Sequence, residues 1–498
     1  MNDTTRLIIA FVAIMVILFI WQTVTPKRIS QRATTQTTTE TTNVQTPSPQ
    51  VSATTTAQSK PALITETEVV LENSKSKIIF SSLGGTIKSI YLKKFRAELV
   101  PFPTHILETK LTSDSLVIQN WSIFYQDDST VVFRSSLKKT FTLHQDFTLS
   151  LKIESVNQLP PDYQISYESG LALTEVNKKD EFKHFSIFYQ NTTKINKLSA
   201  GKVKPTTVSD IKWVGLKSKY FTSILSAPAN PASINIQPLT DGRIGYTYKP
   251  SANKVADYTL YFGPLDYDIL KSYKFGWEAL NDLGWTKIFS IAILKILKFL
   301  FSIFKNYGIA IIIFSFLMKA VFYPLSRIST KQMQQMQMLQ PKLEELKKKY
   351  KGDSQALNRE TMQLYRLYKI NPFSGCLPLA FQMPIFWALY SVLQKTIELR
   401  HASFVFWLKD LSLKDPYYIL PILMGVSFLV QNFLTSADKR NMALLIFMPI
   451  FLTVIFLNFP SGLQLYWFLF NLLSIVESII GRGGIKWKKP KILTNREA

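Results

Sequence analysis

Cysteine is almost absent. Cys376 stands alone in 498 residues, so no disulfide can close within the chain and its redox compartment cannot be read from cysteine. Histidine is nearly as scarce: His105, His144, His184 and His401 are scattered without metal-ligand spacing and read as structural or surface residues. There is no G-x-x-x-x-G-K phosphate loop, which argues against an NTP-driven pump, and no cofactor is expected. Acidic residues are also few, 34 against 58 Lys and Arg, leaving a formal net charge of +24. That excess suits an anionic partner such as lipid headgroups or RNA, and nothing in it points to DNA. Apolar residues, by contrast, arrive in long blocks rather than at helix or strand period, which tips the reading toward a membrane.

Residues 1–24 contain the apolar run Leu7–Val24 behind Arg6. Only WQTVTPKR follows it, without a small-x-small cleavage site, so an uncleaved signal anchor is expected. Residues 25–61 are Thr, Gln, Ser and Pro with almost no large apolar side chain. Burial cannot offset the entropy of ordering them, and a flexible tether is expected. Over residues 62–275 the period becomes two: Phe147, Leu149, Leu151 and Ile153 alternate with Thr148, Ser150, Lys152 and Glu154. Asp241-Gly242 sits between SINIQPL and RIGYTYK as a hairpin turn would, and Gly84-Gly85 marks a bend between two strands. A soluble, mostly antiparallel β sandwich is expected, with no pair of carboxylates assigned to acid and base roles.

Residues 276–306 change to helix. Lys287, Lys295, Lys298 and Lys305 project at about 0°, 80°, 20° and 0° on a helical wheel, a narrow cationic stripe against an Ile/Leu/Phe remainder. A helix lying in the headgroup plane fits this pattern, with a soluble packing helix as the alternative. Residues 307–325, YGIAIIIFSFLMKAVFYPL, can cross a bilayer yet carry Lys319, with Ser315 one turn away on the same face. An ammonium in hydrocarbon costs roughly 2.5–3.5 kcal/mol on insertion scales, so Lys319 is expected to face a partner or a wet cavity. Leu325 lies only about 9 Å further along, so snorkelling to an interface is the alternative.

Residues 326–371 are polar and basic, with ten Lys/Arg against Glu344, Glu345, Asp353 and Glu360. That density assigns the segment to the cytoplasm. Helix-period residues flank Lys351-Gly352-Asp353, so a helical hairpin is expected, kinked or broken at Pro341. Met333, Met336 and Met338 suit either a pliable substrate-contact surface or packing within the hairpin. Residues 372–481 hold four further apolar blocks interrupted by Gln382, Ser427, Gln431, Asn432, Thr453, Gln464, Asn471 and Glu477. Some of these bond to neighbouring helices, and enough of them together would line an aqueous cleft with Lys319 as its charged member. Parity and charge put the β domain outside the cytoplasm, with both termini and the basic tail of residues 482–498 inside, although Lys27, Arg28 and Arg32 outvote Arg6 across the first span.

The chain resembles a YidC-type membrane protein insertase of the Gram-negative form. FLMKAVFYPLS is similar to the family's charged second span, KINPFSGCLPLAFQMPIFWALY to its third, DPYYILPILMG to its fourth and NFPSGLQLYWFLFN to the joint of its last two. The β domain is similar through LGGTIKSIYL and YFGPLDYDIL. The resemblance implies a polytopic inner-membrane protein of six spans, a five-helix core with a hydrophilic groove, and a periplasmic β-supersandwich like galactose mutarotase. It implies one cation in the groove, at Lys319, with Ser315 nearby and Tyr466 and Trp467 as substrate contacts; Gln382 and Gln431 join them as groove residues. The family position is often Arg, and Lys loses the planar bidentate fork. Nascent membrane proteins are the implied substrates and the Sec translocon an implied partner. The basic tail and hairpin offer ribosomal RNA or anionic lipid a counter-charge. A small-anion transporter using Lys319 as counter-charge is the competing reading, although no internal repeat of the spans is visible. A membrane-anchored carbohydrate enzyme is a third.

Overall fold

The computed structural model describes residues 66–111, 121–156, 163–192, 194–227, 232–250, 256–371, 377–435 and 442–484. The expected signal anchor and tether fall outside these ranges, as do residues 485–498 of the basic tail and the start of the third apolar block.

The two-residue period of the first half becomes three antiparallel sheets. A four-stranded sheet takes its strands in sequence order from Glu68–Glu72 to Ala97–Glu98. A five-stranded sheet runs from Thr206–Ile211 to Glu108–Leu111, and a nine-stranded sheet from Ile195–Ser199 to Ser122–Gln126. In strand Thr148–Ser155 the sides alternate as the sequence does: Leu149, Leu151 and Ile153 are buried and Lys152 is exposed. Side chains of all three sheets share one apolar core, including Phe80, Phe133, Leu149, Tyr246 and Leu260. Gly242, with φ +84°, turns the hairpin between Ala232–Pro238 and Ile244–Pro250, and its amide donates to the Leu239 carbonyl at 2.8 Å. At Gly85, φ +53°, an added Cβ would stand 3.0 Å from Trp121, so the bend requires glycine twice over.

The second half is helical. Lys287–Phe304 buries Ser290, Ile293, Leu294, Leu297 and Leu300 and exposes Ile288, Phe299 and Ile303. One member of its expected cationic stripe is not free. Lys298 Nζ lies 2.8 Å from Asp268, 3.4 Å from Asp266 and 2.6 Å from Glu398, so it joins this helix to the β domain and to the loop after the third block. Lys287 and Lys295 do face outward.

The long helix Tyr307–Met338 follows, its first turn capped by the Asn306 side chain. Expected to end at Leu325, it continues through Pro324 for 32 residues, about 48 Å at 1.5 Å each. Residues 326–338 are mostly good helix formers, and a proline costs one hydrogen bond without forcing a stop. The chain turns instead at Leu339, with Pro341 near the start of the next helix, Gln340–Lys349. Asp353 then caps Ser354–Leu367. Leu377–Lys395, Ile419–Thr435, Met442–Phe456 and Ser461–Gly484 complete the set. Among the described residues two helices, Tyr307–Met338 and Ser461–Ile480, are long and apolar enough to cross a membrane, and Ile419–Leu434 and Leu445–Phe456 are shorter apolar ones. Large apolar side chains stay exposed along them, among them Phe316, Val321, Ile422, Val426, Ile450 and Ile479. An apolar belt of this kind belongs against lipid. At Gly425 an added Cβ would stand 2.0 Å from Thr453 Oγ1, the close helix approach that small residues permit.

Candidate functional site

Along four of the helices, Tyr307–Met338, Leu377–Lys395, Ile419–Thr435 and Ser461–Gly484, an apolar stretch gives way to one that carries polar side chains. Tyr307, Ala310, Ile311 and Phe314 of the long helix pack with Leu389, Val392 and Leu393, with Leu420 and Met424, and with Leu463 and Tyr466 of the last helix, in one apolar cluster. Phe386, Phe456, Phe459 and Trp467 form an aromatic layer there, with the Phe386 and Trp467 rings edge to face at 5.3 Å. This dry end adjoins residues 396–413. That loop meets the β domain through Arg400, which donates to Glu175 at 2.7 Å and the Phe95 carbonyl at 2.8 Å, and through Tyr220, which donates to Ser412 at 3.2 Å.

Two turns further along, the same helices enclose a cavity of about 370 Å³. The long helix contributes Lys319, Phe322, Ser326, Ser329, Met333 and Gln337, spaced three and four apart along one face. The last helix contributes Trp467, Phe470, Asn471, Ser474, Glu477 and Ser478, and Gln382, Phe428, Gln431 and Asn432 fill the remaining wall. The volume sits at the low end of the ~300–1,000 Å³ of small-ligand pockets. It has room for a few side chains, not for a whole spanning segment.

Lys319 is 9% exposed and lines the cavity. Its ammonium lies 2.6 Å from Glu477 Oε2, donates to Ser474 Oγ at 2.8 Å and sits 5.1 Å over the Phe470 ring. Ser474 sends its own proton to the Phe470 carbonyl at 2.8 Å, which leaves its oxygen free to accept from Lys319. Ser326, two turns along from Lys319, donates to the same Glu477 oxygen at 2.9 Å. Taking two charges out of water is costly, and the hydroxyl bonds to both are what such a pair needs to repay it. Elsewhere on the wall Gln382 Nε2 donates to the Tyr466 hydroxyl at 2.5 Å, and Asn471 donates to Ser427 at 3.3 Å.

Residues 299–488 match the 60Kd inner membrane protein family, and residues 125–296 match the YidC periplasmic domain. A membrane protein insertase YidC of Syntrophus aciditrophicus (strain SB) is 34% identical over 459 residues, covering 82% of this chain and 84% of that one. The chain belongs to the YidC family of membrane protein insertases. A second YidC insertase, from Geobacter sulfurreducens, is 42% identical over 275 residues, covering 53% of this chain and 52% of that one. Among solved structures, an active YidC insertase with its first transmembrane domain resolved covers 82% of this chain and 92% of its own, at 20% identity and a TM-score of 0.40.

Of the site residues expected from the sequence, Lys319, Gln382, Gln431, Trp467 and Met333 line the cavity. Ser315 and Tyr466 are buried beside it rather than on its wall among the described residues. Ser315 spends its hydroxyl on the Ile311 carbonyl of its own helix at 2.7 Å, and Tyr466 supports Gln382 from behind. Met336 and Met338 lie off the wall, and Met338 is 46% exposed. Other polar interruptions have local uses: Thr453 donates to the Pro449 carbonyl, and Gln464 to the carbonyls of Phe456 and Phe459 at the joint of the last two helices. The pattern missed Ser474 and the roles of Ser326 and Glu477. The signal was in the spacing, since Phe470, Ser474 and Glu477 recur at four and three residues on one helical face.

Proposed function

We propose that this protein inserts nascent hydrophobic segments into the bacterial inner membrane, alone or beside the Sec translocon. The polar cavity around Lys319 serves as the receiving groove. A short polar flank of the entering segment occupies the cavity, while its apolar body lies along the exposed apolar belt and passes sideways into lipid. Water and polar walls lower the cost of carrying the flank part-way across, and Lys319 attracts its carboxylates. Burial of the segment's large apolar side chains, each worth about 1.5–3 kcal/mol, supplies the drive. The role is one of binding rather than covalent chemistry. In this reading six spans cross the membrane, five of them forming the core; the β domain is periplasmic, both termini are cytoplasmic, and the basic hairpin meets the ribosome or anionic lipid.

The observation that carries the reading is the gradient along the helices, dry beside the β domain and polar around a buried ammonium. A cavity open to charged flanks but closed at one end suits insertion better than conduction. The test replaces Lys319 by Ala, Arg and Glu in cells depleted of their own insertase, with substrates carrying acidic flanks. Arg should support insertion and Ala should impair it; Glu, facing Glu477, should impair it most. Insertion by the Glu variant equal to wild type would refute the charge attraction.

A further inference from the structure

The ammonium assigned to receive substrate carboxylates already has one of its own. Lys319 and Glu477 are 2.6 Å apart, so an incoming carboxylate has to compete with a carboxylate built into the chain. The two partners also have something to fall back on. With Glu477 withdrawn, Lys319 keeps the Ser474 hydroxyl at 2.8 Å and the Phe470 ring face at 5.1 Å. With Lys319 withdrawn, Glu477 keeps the Ser326 hydroxyl at 2.9 Å. Both charges sit on flexible side chains at the wall of the cavity, on helices that contact each other directly, and 11% and 17% of those side chains are exposed.

We propose that Glu477 is a specificity-determining residue, an exchangeable counter-ion through which the groove accepts charged flanks of either sign. A substrate carboxylate displaces Glu477 from Lys319, and a substrate ammonium or guanidinium displaces Lys319 from Glu477. In each exchange one ion pair is conserved, and the released group keeps a hydroxyl hydrogen bond that offsets part of its lost pairing. Lys at position 319 suits this use, because a point charge on a flexible stem changes partners with less loss of geometry than a bidentate fork. With the pair intact the two charged residues of the described lining balance, so a flank of either sign finds its partner by exchange.

This rests on the groove reading above, and the test separates the two. Full-length protein in liposomes is given a single-span substrate whose flank carries Asp, Asn or Lys at one position, and insertion is scored by protease protection. Glu477→Gln, which can still accept from Ser326, is expected to lower the Lys-flank yield relative to the Asn flank by roughly tenfold, the scale of one lost charge partner, while leaving the Asp flank at or above wild type. Lys319→Gln should do the reverse. The exchanged variant Lys319→Glu with Glu477→Lys keeps one charge of each sign and should insert both flanks within about twofold of wild type. Equal loss on all three flanks in Glu477→Gln, or an unchanged Lys-to-Asn ratio, overturns the proposal, since Glu477 would then only support Lys319. Failure of wild type on every flank would instead sink the insertase reading, and this one with it.

Discussion

Lys139 in the β domain and Lys319 at the cavity between the helices are both buried, and their surroundings differ in kind. Lys139, 0% exposed, donates to the backbone carbonyls of Gly84, Gly85 and Leu107 at 3.1, 2.9 and 3.1 Å, with the Trp121 ring 4.8 Å away. Two of its acceptors belong to the bend at the glycines and the third precedes strand Glu108–Leu111, and as backbone groups they cannot leave without unfolding it. Burial pushes its pKa down to about 7, with Glu108 opposing the shift. Lys319 is held by side chains on a second helix, and each of them can rotate away. Fixed acceptors make a structural anchor, and movable ones make a site.

The largest expected effects come from removing each lysine in turn. Lys319→Ala leaves Glu477 without its ionic partner and should cut insertion of acidic-flanked substrates by tenfold or more, since breaking a buried pair costs about 3–5 kcal/mol. The β domain should unfold as in wild type. Lys139→Ala should instead destabilise the β domain by about 3–5 kcal/mol, through the lost stem and three orphaned carbonyls, and leave insertion within about twofold. Loss of insertion in Lys139→Ala with an intact β domain, measured by thermal unfolding in detergent, would break the comparison. A smaller effect separates the two by pH. The folded pKa of Lys139 lies below its ordinary 10.5, so between pH 10.5 and about 7 the unfolded chain binds the extra proton. β-domain stability should therefore fall as pH drops through that window, by at most about 1.4 kcal/mol per pH unit, and level off below 7. Lys139→Met should lack that slope.

Removal of the β domain sharpens the contrast further. An insertase whose chemistry lies in the groove should retain much of its activity without residues 62–268. The cut, however, takes Asp266 and Asp268 from Lys298 and Glu175 from Arg400. A deletion that keeps Asp266 and Asp268 should be the more thermostable of the two, because Lys298 is only 25% exposed and would otherwise rely on Glu398 alone.

The sequence made the β domain legible because strand alternation and glycine turns are local: Leu149, Leu151 and Ile153, or Asp241-Gly242, carry their structure within a few residues. Lys319 was equally plain, since a charge in an apolar run stands out whatever surrounds it. Its partner was not, for Glu477 lies 158 positions away and looked like one polar interruption among eight. Nor was the fate of Ser315: it shares a helix face with Lys319, but a hydroxyl four residues from a carbonyl bonds back to its own helix as readily as it lines a cleft. Long-range pairing of side chains has no period, and only the fold supplies it. The second span's length escaped for a related reason, because hydropathy reports where the membrane stops and helix propensity carries the same helix past it.

The smallest expected effect lies at the tip of the hairpin. The Asp353 carboxylate accepts from the amides of Gln355 and Ala356 at 3.1 and 3.0 Å and starts the helix Ser354–Leu367. That helix has no buried residue, so packing contributes little to holding it and the cap weighs more than usual. Asp353→Ala should cost about 1 kcal/mol of local helix stability, Asp353→Asn much less. Hydrogen exchange in full-length protein would register this as faster exchange across residues 354–367, with protection around Lys319 unchanged. Insertion should change by less than about twofold if the hairpin only gathers substrate while the groove does the selecting, because a fraying turn still presents the same charges. A loss as large as that of Lys319→Ala would move the selecting step from the groove to the hairpin, and the contrast between fixed and movable partners would no longer account for where specificity lies.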